Sequence, residues 1–315
     1  MSKPSLSVII PVYRSAESLD ELIAALGTVL PTVSSAYEVI LVDDSSPDTS
    51  WQVIQRLAAA HQWVRGITLM RNYGQHSALL CGIRAARHDI IATMDDDLQH
   101  PPEELPKLLA KLAEGFDVVY GSPAHEQHGF LRDLASQITK LALQSSMGVN
   151  IARRVSAFRV FRTDLRRAFE TYRSAYVNID VLLTWGTTRF AAVTVRHDAR
   201  KYGVSNYTLK KLITHAINMI TGFSTLPLQI ASLLGFAFAA FGLLVLVYVV
   251  GRAIIEGVVV QGFAFTASII AIFSGVQLFA LGIIGEYLSR VHFRTMDRPV
   301  YTVREEVSSP KTDSE

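Results

Sequence analysis

Between residues 226 and 289 the chain carries almost no charge, and nothing else in the sequence restricts its fold as severely. Leu228–Val250 and Phe263–Ile284 are apolar runs, each about as long as a helix needs to cross a hydrocarbon core of roughly 30 Å. In lipid every backbone N–H and C=O must find its partner inside the segment, so such runs fold as helices. The expected unit is a two-helix transmembrane hairpin over 226–289, with only Arg252 and Glu256 charged in the link. The competing arrangement is a hairpin of core helices. Two uncharged spans of this length seldom share one soluble core.

Flanking charge gives the orientation. Arg196, Arg200, Lys201, Lys210 and Lys211 precede the first span, and Arg290, Arg294 and Arg298 follow the second. The positive-inside bias puts residues 1–205 and a tail at 290–315 in the cytoplasm, as parts of a multi-pass protein of the inner (plasma) membrane. Within 206–225, the stretch Tyr207–Phe223 places Leu209, Leu212, Ile213, Ile217 and Ile220 near helical spacing, with Lys210 and Lys211 on the polar side. It is expected to be an amphipathic juxtamembrane helix lying on lipid, the alternative being an ordinary domain helix. Lys3 and Pro4 lead straight into a strand-like run, and no signal peptide is expected.

The first half alternates two periodicities. Strand-like runs stand at Leu6–Val12, Tyr37–Val42, Val64–Met70, Asp89–Met94 and Asp117–Tyr120. Helix-period segments lie between them at Glu17–Val29, Thr49–His61, Gln75–Ala86 and Pro102–Glu114. This alternation predicts an α/β fold, a mostly parallel sheet with helices on both faces. Val8-Ile9-Ile10 and Val39-Ile40-Leu41-Val42 are apolar without alternation, as strands covered on both sides should be. Further on, helices are expected at Phe130–Met147, Thr163–Thr171 and Val177–Trp185, with strands at Ser156–Phe161 and 189–196. Cys81 is the only cysteine, which rules out an internal disulfide or a cysteine-built zinc site. The net charge of +2 gives no footprint for nucleic acid.

The chemistry gathers where strands end. Asp95, Asp96 and Asp97 follow the apolar Ile90-Ile91-Ala92-Thr93, with Gln99 just beyond. Three adjacent carboxylates repel one another, and a divalent cation with oxygen ligands relieves that cost. In an extended chain Asp95 and Asp97 share one side and Asp96 takes the other; Gln99 continues the alternation if extension persists. Pro11-Val12-Tyr13, Asp43–Asp48 and Arg71–His76 end or follow the other early strands, and in a doubly wound sheet these loops converge on one edge. Acidic loops without a Gly-rich phosphate loop argue against a Walker ATPase or a dinucleotide site. Taken singly, each piece has a plain alternative: turn and helix cap, solvated loop, or acidic helix start.

The series Ile-Ile-Pro-Val-Tyr (9–13), Val-Asp-Asp-Ser-Ser-Pro-Asp (42–48), Arg-Asn-Tyr-Gly-Gln-His-Ser-Ala (71–78) and Asp-Asp-Asp-Leu-Gln-His-Pro-Pro (95–102) resembles glycosyltransferase family 2. Together with His197-x-x-Arg200-x-x-Gly203-x-Ser205-x-Tyr207 and the two spans, the resemblance is to its polyprenyl-phosphate glycosyltransferase subfamily. That subfamily holds bactoprenol glucosyltransferases, formamido-arabinose transferases and dolichol-phosphate mannose synthases. The resemblance implies a GT-A nucleotide-diphospho-sugar sandwich. It implies that Pro11, Tyr13 and Asp44 line the base and ribose pocket, with Arg71, Gly74, His76 and Asp95 also on the nucleotide-sugar. Asp95 and Asp97 would be the metal-binding pair, Asp96 the variable middle residue and Gln99 an extra ligand, for Mg²⁺ or Mn²⁺. Arg159, Arg200, Ser205 and Tyr207 would hold the acceptor phosphate, and Asp97, Arg159 and Arg200 would be catalytic.

The sequence also departs from the pattern. Relatives often carry an acidic residue soon after Pro-x-Tyr, where Arg14 and Ser15 stand here. Many have an Asp, as a proposed base, before the Phe-Arg pair; here Ser156 and Ala157 precede Phe158-Arg159. A phosphate monoester acceptor, with a second pKa of about 6, is already largely deprotonated at neutral pH and needs no base. Asn206 stands where a Lys is common, so one phosphate contact is either missing or supplied from elsewhere, with Lys201 the candidate. The expected reaction is inverting transfer from a nucleotide-diphospho-sugar, a UDP-sugar by preference, to a membrane polyprenyl phosphate such as undecaprenyl phosphate. The resemblance also suggests a homo-oligomer, a tetramer among the candidates. Two rivals are a processive polysaccharide synthase, for which further spans and a Gln-x-x-Arg-Trp segment are missing, and a non-catalytic membrane scaffold.

Overall fold

A computed structural model of the chain describes residues 3–123, 154–174, 176–198, 201, 226–256 and 262–309. The chain divides into two compact units, Met1–Ile213 with Asp297–Glu315, and Thr214–Met296.

The first unit is built on one eight-stranded sheet of order β7-β5-β6-β4-β1-β2-β3-β8. The strands are β1 (Ser5–Val12), β2 (Ala36–Asp43), β3 (Val64–Leu69), β4 (Ile90–Thr93), β5 (Val118–Pro123), β6 (Arg159–Arg162), β7 (Phe190–Val195) and β8 (Val303–Ser308). β1 pairs in parallel with β2 and β4, and β2 with β3. β6 runs antiparallel between β4 and β5, and β8 runs antiparallel on the β3 edge. The sheet is therefore mixed.

Helices α1 (Leu19–Val33), α2 (Ser50–Ala60), α3 (Gln75–Ala85) and α4 (Leu105–Ala113) connect the early strands. Side chains alternate across β1, so Val8 and Ile10 join the core under α1, α2 and α4, while Ile9 joins a second core under α3. Both faces are covered, which explains the unbroken apolar runs. α1 turns Leu19, Leu22, Ile23, Leu26 and Leu30 to the sheet, spaced by three and four residues. It runs on to Val33, past the predicted end at Val29, with Pro31 inside its last turn. The predicted helix at 163–171 is a 3₁₀ helix over Thr163–Ala168, and the one at 177–185 is a short helix over Ile179–Thr184. The predicted helices at Phe130–Met147 and Tyr207–Phe223 lie outside the described residues.

The segment 290–315, expected as a tail, holds a strand that the sequence reading did not contain. Arg65 on β3 bonds Glu38 on β2 at 2.8 Å and Glu306 on β8 at 2.5 Å, so one buried guanidinium fastens two neighbouring strands. Gly66 makes room for this edge: a Cβ there would stand 2.8 Å from Val307 and 2.4 Å from Ile54.

The second unit contains helices over Leu226–Glu256 and Phe263–Thr295. The stretches Pro227–Arg252 and Ile272–Thr295 are long and apolar enough to cross a membrane, with mean hydropathies of 2.6 and 1.4. Neither is buried in the described structure, and Leu233, Phe236 and Ile254 are more than 70% exposed, unlike the helices of a soluble core. The two helices meet through Phe238 and Phe273, edge to face at 5.8 Å, beside Gly242.

Candidate active site

Because β1, β2, β3 and β4 are parallel, their carboxyl ends share one edge. The four segments picked out in the sequence follow these ends, and their hydrogen bonds tie them together.

Asp43 and Asp44 close β2 and are buried. Asp43 accepts from the Ser46 amide at 3.1 Å and from Thr68 Oγ1 at 2.8 Å. Asp44 accepts from the Tyr73 amide at 2.7 Å and the Gly74 amide at 2.8 Å. Burial pushes the Asp44 carboxyl up, the two amides oppose the shift, and the charge of Asp43 adds to it. Expected to line the nucleotide pocket, Asp44 is seen to shape the 71–74 loop, with both oxygens engaged by backbone amides. Gly74 adopts φ +92°, a left-handed conformation that glycine enters at no steric cost, immediately before α3. In the same loop the Arg71 guanidinium lies 4.5 Å from the Tyr73 ring centre, and Arg71 is exposed. His76, in the first turn of α3, accepts from the Ile179 amide through Nδ1 at 3.3 Å. Pro11 is buried in β1, while Tyr13 beyond it is 39% exposed, with the Arg14 guanidinium 5.4 Å from its ring centre.

The acidic triplet divides as alternation demands at its first two members. Asp95 turns to α3, where Oδ1 accepts from Gln75 Nε2 at 2.7 Å. Asp96 turns to the β1 loop, accepting from the Tyr13 amide at 3.4 Å and bonding Ser15. Burial pushes the Asp96 carboxyl up to about 6, with the Asp97 charge adding and the Ser15 and Tyr13 bonds opposing. Asp97 accepts the Gln99 amide at 3.1 Å, and Leu98 takes φ +59°. That tight turn ends the extended chain, so the alternation that would put Gln99 beside Asp95 and Asp97 fails. The Gln99 carbonyl instead accepts from the Asp198 amide at 2.8 Å and lies 3.1 Å from His197 Nδ1. Among the described residues no three His, Cys, Asp or Glu side chains gather into a metal cage. Asp95 and Asp97 still fit Mg²⁺ or Mn²⁺ by donor chemistry, since such ions are held by one or two carboxylates together with substrate phosphates.

Arg159 requires a correction. The sequence placed its guanidinium on a phosphate and in the catalytic set, but the side chain is 1% exposed. Nε donates to Thr93 Oγ1 at 2.9 Å, and Nη1 bonds Asp180, which also accepts from the Tyr120 hydroxyl at 3.1 Å. Thr93 Oγ1 in turn donates to the Ala157 carbonyl at 2.7 Å. Arg159 thus fastens β6 to the end of β4 from beneath, and its charge is felt at Asp95. Asp180 escaped the sequence reading; its one signal was a carboxylate inside the apolar run Val177–Trp185.

His100 was also missed. Its ring stacks on Phe158 at 5.4 Å and on His197 at 4.9 Å. Both ring nitrogens are buried without a hydrogen-bond partner among the described residues. Burial pushes its pKa down to about 4, with the neighbouring His197 adding and Asp97 opposing, so His100 is neutral at physiological pH. Arg200, Ser205 and Tyr207, the expected acceptor-phosphate residues, lie outside the described residues. Lys201 bonds both carboxylate oxygens of Glu21 at 2.8 Å.

Comparison with known proteins agrees with this geometry. Residues 7–169 match the family description "Glycosyl transferase family 2". The undecaprenyl-phosphate 4-deoxy-4-formamido-L-arabinose transferase of Yersinia enterocolitica is 34% identical over 98% of this chain and 95% of its own length. The protein of the same name from Salmonella choleraesuis is 34% identical over 98% and 96%. Glucosyl-3-phosphoglycerate synthase from Mycobacterium tuberculosis, solved with Mn²⁺, UDP and phosphoglyceric acid, shares the fold of the first unit. It has a TM-score of 0.52 and 18% identity, over 69% of this chain and 76% of that one. The sheet is therefore a GT-A fold.

Proposed function

The chain belongs to glycosyl transferase family 2, and on that premise we propose that it transfers a sugar from a nucleotide-diphospho-sugar to a polyprenyl phosphate in the membrane. The observation that carries this reading is one chain holding both a carboxylate pair at a sheet edge and two membrane-length helices, aligned end to end with undecaprenyl-phosphate transferases. A lipid acceptor stays in the bilayer, so an enzyme acting on it gains from an anchor.

Asp95 and Asp97 would hold Mg²⁺ or Mn²⁺ jointly with the donor diphosphate, and the ion supplies charge neutralisation for the departing diphosphate. The chain's own residues set the geometry. Asp44 holds the Tyr73 and Gly74 amides, Gln75 holds Asp95, and Asp96 holds the β1 loop. Arg159 and Asp180 make a rigid floor beneath. The acceptor phosphate oxygen attacks the anomeric carbon on the face opposite the diphosphate, inverting configuration. No protein base stands at Ala157 and none is required, because the phosphate monoester is ionised at neutral pH. Arg200, Ser205 and Tyr207 are assigned to the acceptor phosphate, where a guanidinium is suited to bidentate contact.

Orientation rests on chain connectivity and flanking charge. β8 pairs with β3, so the chain before the first span and the chain after the second share one compartment. The basic residues on both flanks support the cytoplasm as that compartment.

The test is transfer by the full-length chain in detergent, with a panel of nucleotide sugars, undecaprenyl phosphate and Mn²⁺, reading the lipid product by mass. UDP-linked 4-deoxy-4-formamido-L-arabinose comes first, on the strength of the relatives' name, and UDP-glucose second. Asp97→Asn should lower kcat/KM at least 100-fold while leaving the far-ultraviolet dichroism unchanged. Undiminished turnover by that variant would refute the metal assignment. Diphosphate release independent of polyprenyl phosphate would point to a polysaccharide synthase, and no release with any donor to a scaffold.

A further inference from the structure

The chain that leaves the second membrane-length helix runs back across the donor side of the sheet. Val300 is buried in the core beneath α3. Tyr301 bonds the Cys81 thiol, and the Arg84 guanidinium lies 5.7 Å from its ring centre, so it is seated on α3. Thr302 accepts the Met70 amide through its carbonyl at 2.9 Å. Thr302 also bonds the Tyr73 hydroxyl, through both its side chain and its backbone. Arg304 reaches the Met70 carbonyl at 3.5 Å. The β3–β8 pairing shifts register between Thr68 and Leu69, where β3 gives way to this loop. The 70–74 loop is thus gripped on one side by Asp44 and on the other by Thr302.

We propose that the segment Val300–Arg304 belongs to the donor-binding apparatus, with Thr302 as the positioning residue that sets the Arg71–Gly74 loop. The inference rests on the functional reading above only in calling that loop a donor loop. Within the loop, Arg71 lies over the Tyr73 ring and bonds its hydroxyl. Met70 and Arg71 are exposed, and Gly74 sits at a φ that leaves the backbone its widest freedom. Without the Thr302 hydroxyl, the Tyr73 phenol keeps Arg71 and the Thr302 backbone but loses the foremost of its partners across from the Asp44 grip. The loop would then sample conformations in which the Tyr73 and Gly74 amides leave Asp44. A donor would have to select the competent fraction, so donor KM rises by the inverse of that fraction while the chemical step is untouched.

The experiment compares the full chain in detergent as wild type, Thr302→Val, Thr302→Ser, Tyr73→Phe and the Thr302→Val/Tyr73→Phe double variant. Hydrogen exchange is read on peptides covering 70–75. Thr302→Val removes one hydroxyl at constant shape and should speed exchange of the Tyr73 and Gly74 amides about five- to tenfold, the worth of one hydrogen bond. Peptides from β1 and β2 should not change. Tyr73→Phe, which removes every contact of the phenol, should be at least as fast as Thr302→Val, the double variant should be no faster than Tyr73→Phe, and Thr302→Ser should restore the wild-type rate. With the donor that the wild type uses, Thr302→Val should raise KM, by less than the exchange factor because the competent fraction falls more slowly than the open fraction rises, with kcat within about twofold. Unchanged exchange in both single variants overturns the proposal. Faster exchange with an unchanged donor KM overturns its link to donor binding. Failure of the wild type to transfer any sugar refutes the functional reading, whereas the exchange data still decide whether Thr302 sets the loop.

Discussion

Replacing Asp96 by Asn should make the protein more stable. The carboxyl is pushed from 3.8 up to about 6, chiefly by burial, with Asp97 beside it. A raised acid pKa means that the native state binds a proton more readily than the unfolded chain. Ionised Asp96 therefore costs stability above about pH 6, and the cost fades as pH falls through 6 towards 4. A shift of roughly two units, at about 1.4 kcal/mol per unit, gives ~3 kcal/mol at pH 7.5 and about half that at pH 5. The side chain is not fully enclosed, and residual hydration trims the expected gain to ~2 kcal/mol at pH 7.5. Asn keeps an oxygen for the Tyr13 amide, removes the charge and exchanges the second acceptor oxygen for an NH2 group, which can donate to the Ser15 hydroxyl. The assay is urea unfolding of the full chain in detergent with EDTA, followed by tryptophan fluorescence. All three tryptophans, Trp51, Trp63 and Trp185, lie in the sheet unit, so the signal reports that unit alone. With a slope of about 2–3 kcal/mol per molar urea, the midpoint should rise by ~1 M at pH 7.5 and by roughly half as much at pH 5. No rise at pH 7.5, or a larger rise at pH 5, refutes the reasoning.

Other perturbations have equally definite outcomes. Arg159→Met strands the buried Asp180 without its cation and should cost about 3–5 kcal/mol in the same unfolding assay. Arg159→Met/Asp180→Leu should recover part of that loss, since no orphan charge remains while the buried Tyr120 hydroxyl still loses its acceptor. Gly82→Ala would set a Cβ 2.3 Å from Ile9 Cγ2 and 3.2 Å from Val42 Cγ2, and a loss of about 1–3 kcal/mol is expected from urea midpoints. The Cys81 thiol, pushed up to about 12 by burial with the charge of Glu306 adding, should resist a disulfide reagent at pH 8 in the native protein and react fully in urea. Rapid native labelling would show that the Tyr301 side of α3 opens.

Most of the sheet unit was legible because periodicity and burial agree there. Val8-Ile9-Ile10 could only be a strand covered on both faces, and α1 shows its apolar stripe at three- and four-residue spacing. β8 was not legible. Val-Arg-Glu-Glu-Val-Ser is too polar to announce a strand, and it is ordered by partners far away in sequence, Arg65 above all. The same limit governs the site. Asp95 and Asp97 declared themselves by position after an apolar run, and Asp96 by alternation. The Gln99 expectation assumed an extended chain, but Asp97 captures the Gln99 amide and Leu98 turns left-handed. Arg159 reads as a phosphate-binding guanidinium because its partners, Thr93, Tyr120 and Asp180, come from three separate elements and no local pattern connects them.

Backbone strain gives an argument for the site that owes nothing to resemblance. Arg14, Ser45 and Leu98 hold φ of 59°, 56° and 59°, and each lies just beyond the carboxyl end of its own strand, β1, β2 and β4 respectively. A left-handed non-glycine residue costs about 1–2 kcal/mol, and glycine would avoid the cost at any of the three positions. Among the described residues the amino edge of the sheet has no such residue; the remaining case, Asp297, follows the second membrane-length helix. The strained turns are held by side chains of the same edge: the Arg14 amide on Ser46 Oγ at 3.2 Å, the Ser46 amide on Asp43, and the Gln99 amide on Asp97. A sheet selected only to fold would scatter such costs or remove them. Their concentration on one edge means that the loop conformations matter more than the stability they forgo. Leu98 shows what the strain obtains. Its turn folds Asp97 back on the Gln99 amide and directs the Gln99 carbonyl to His197 and Asp198, so the acidic triplet is joined to the segment that follows β7.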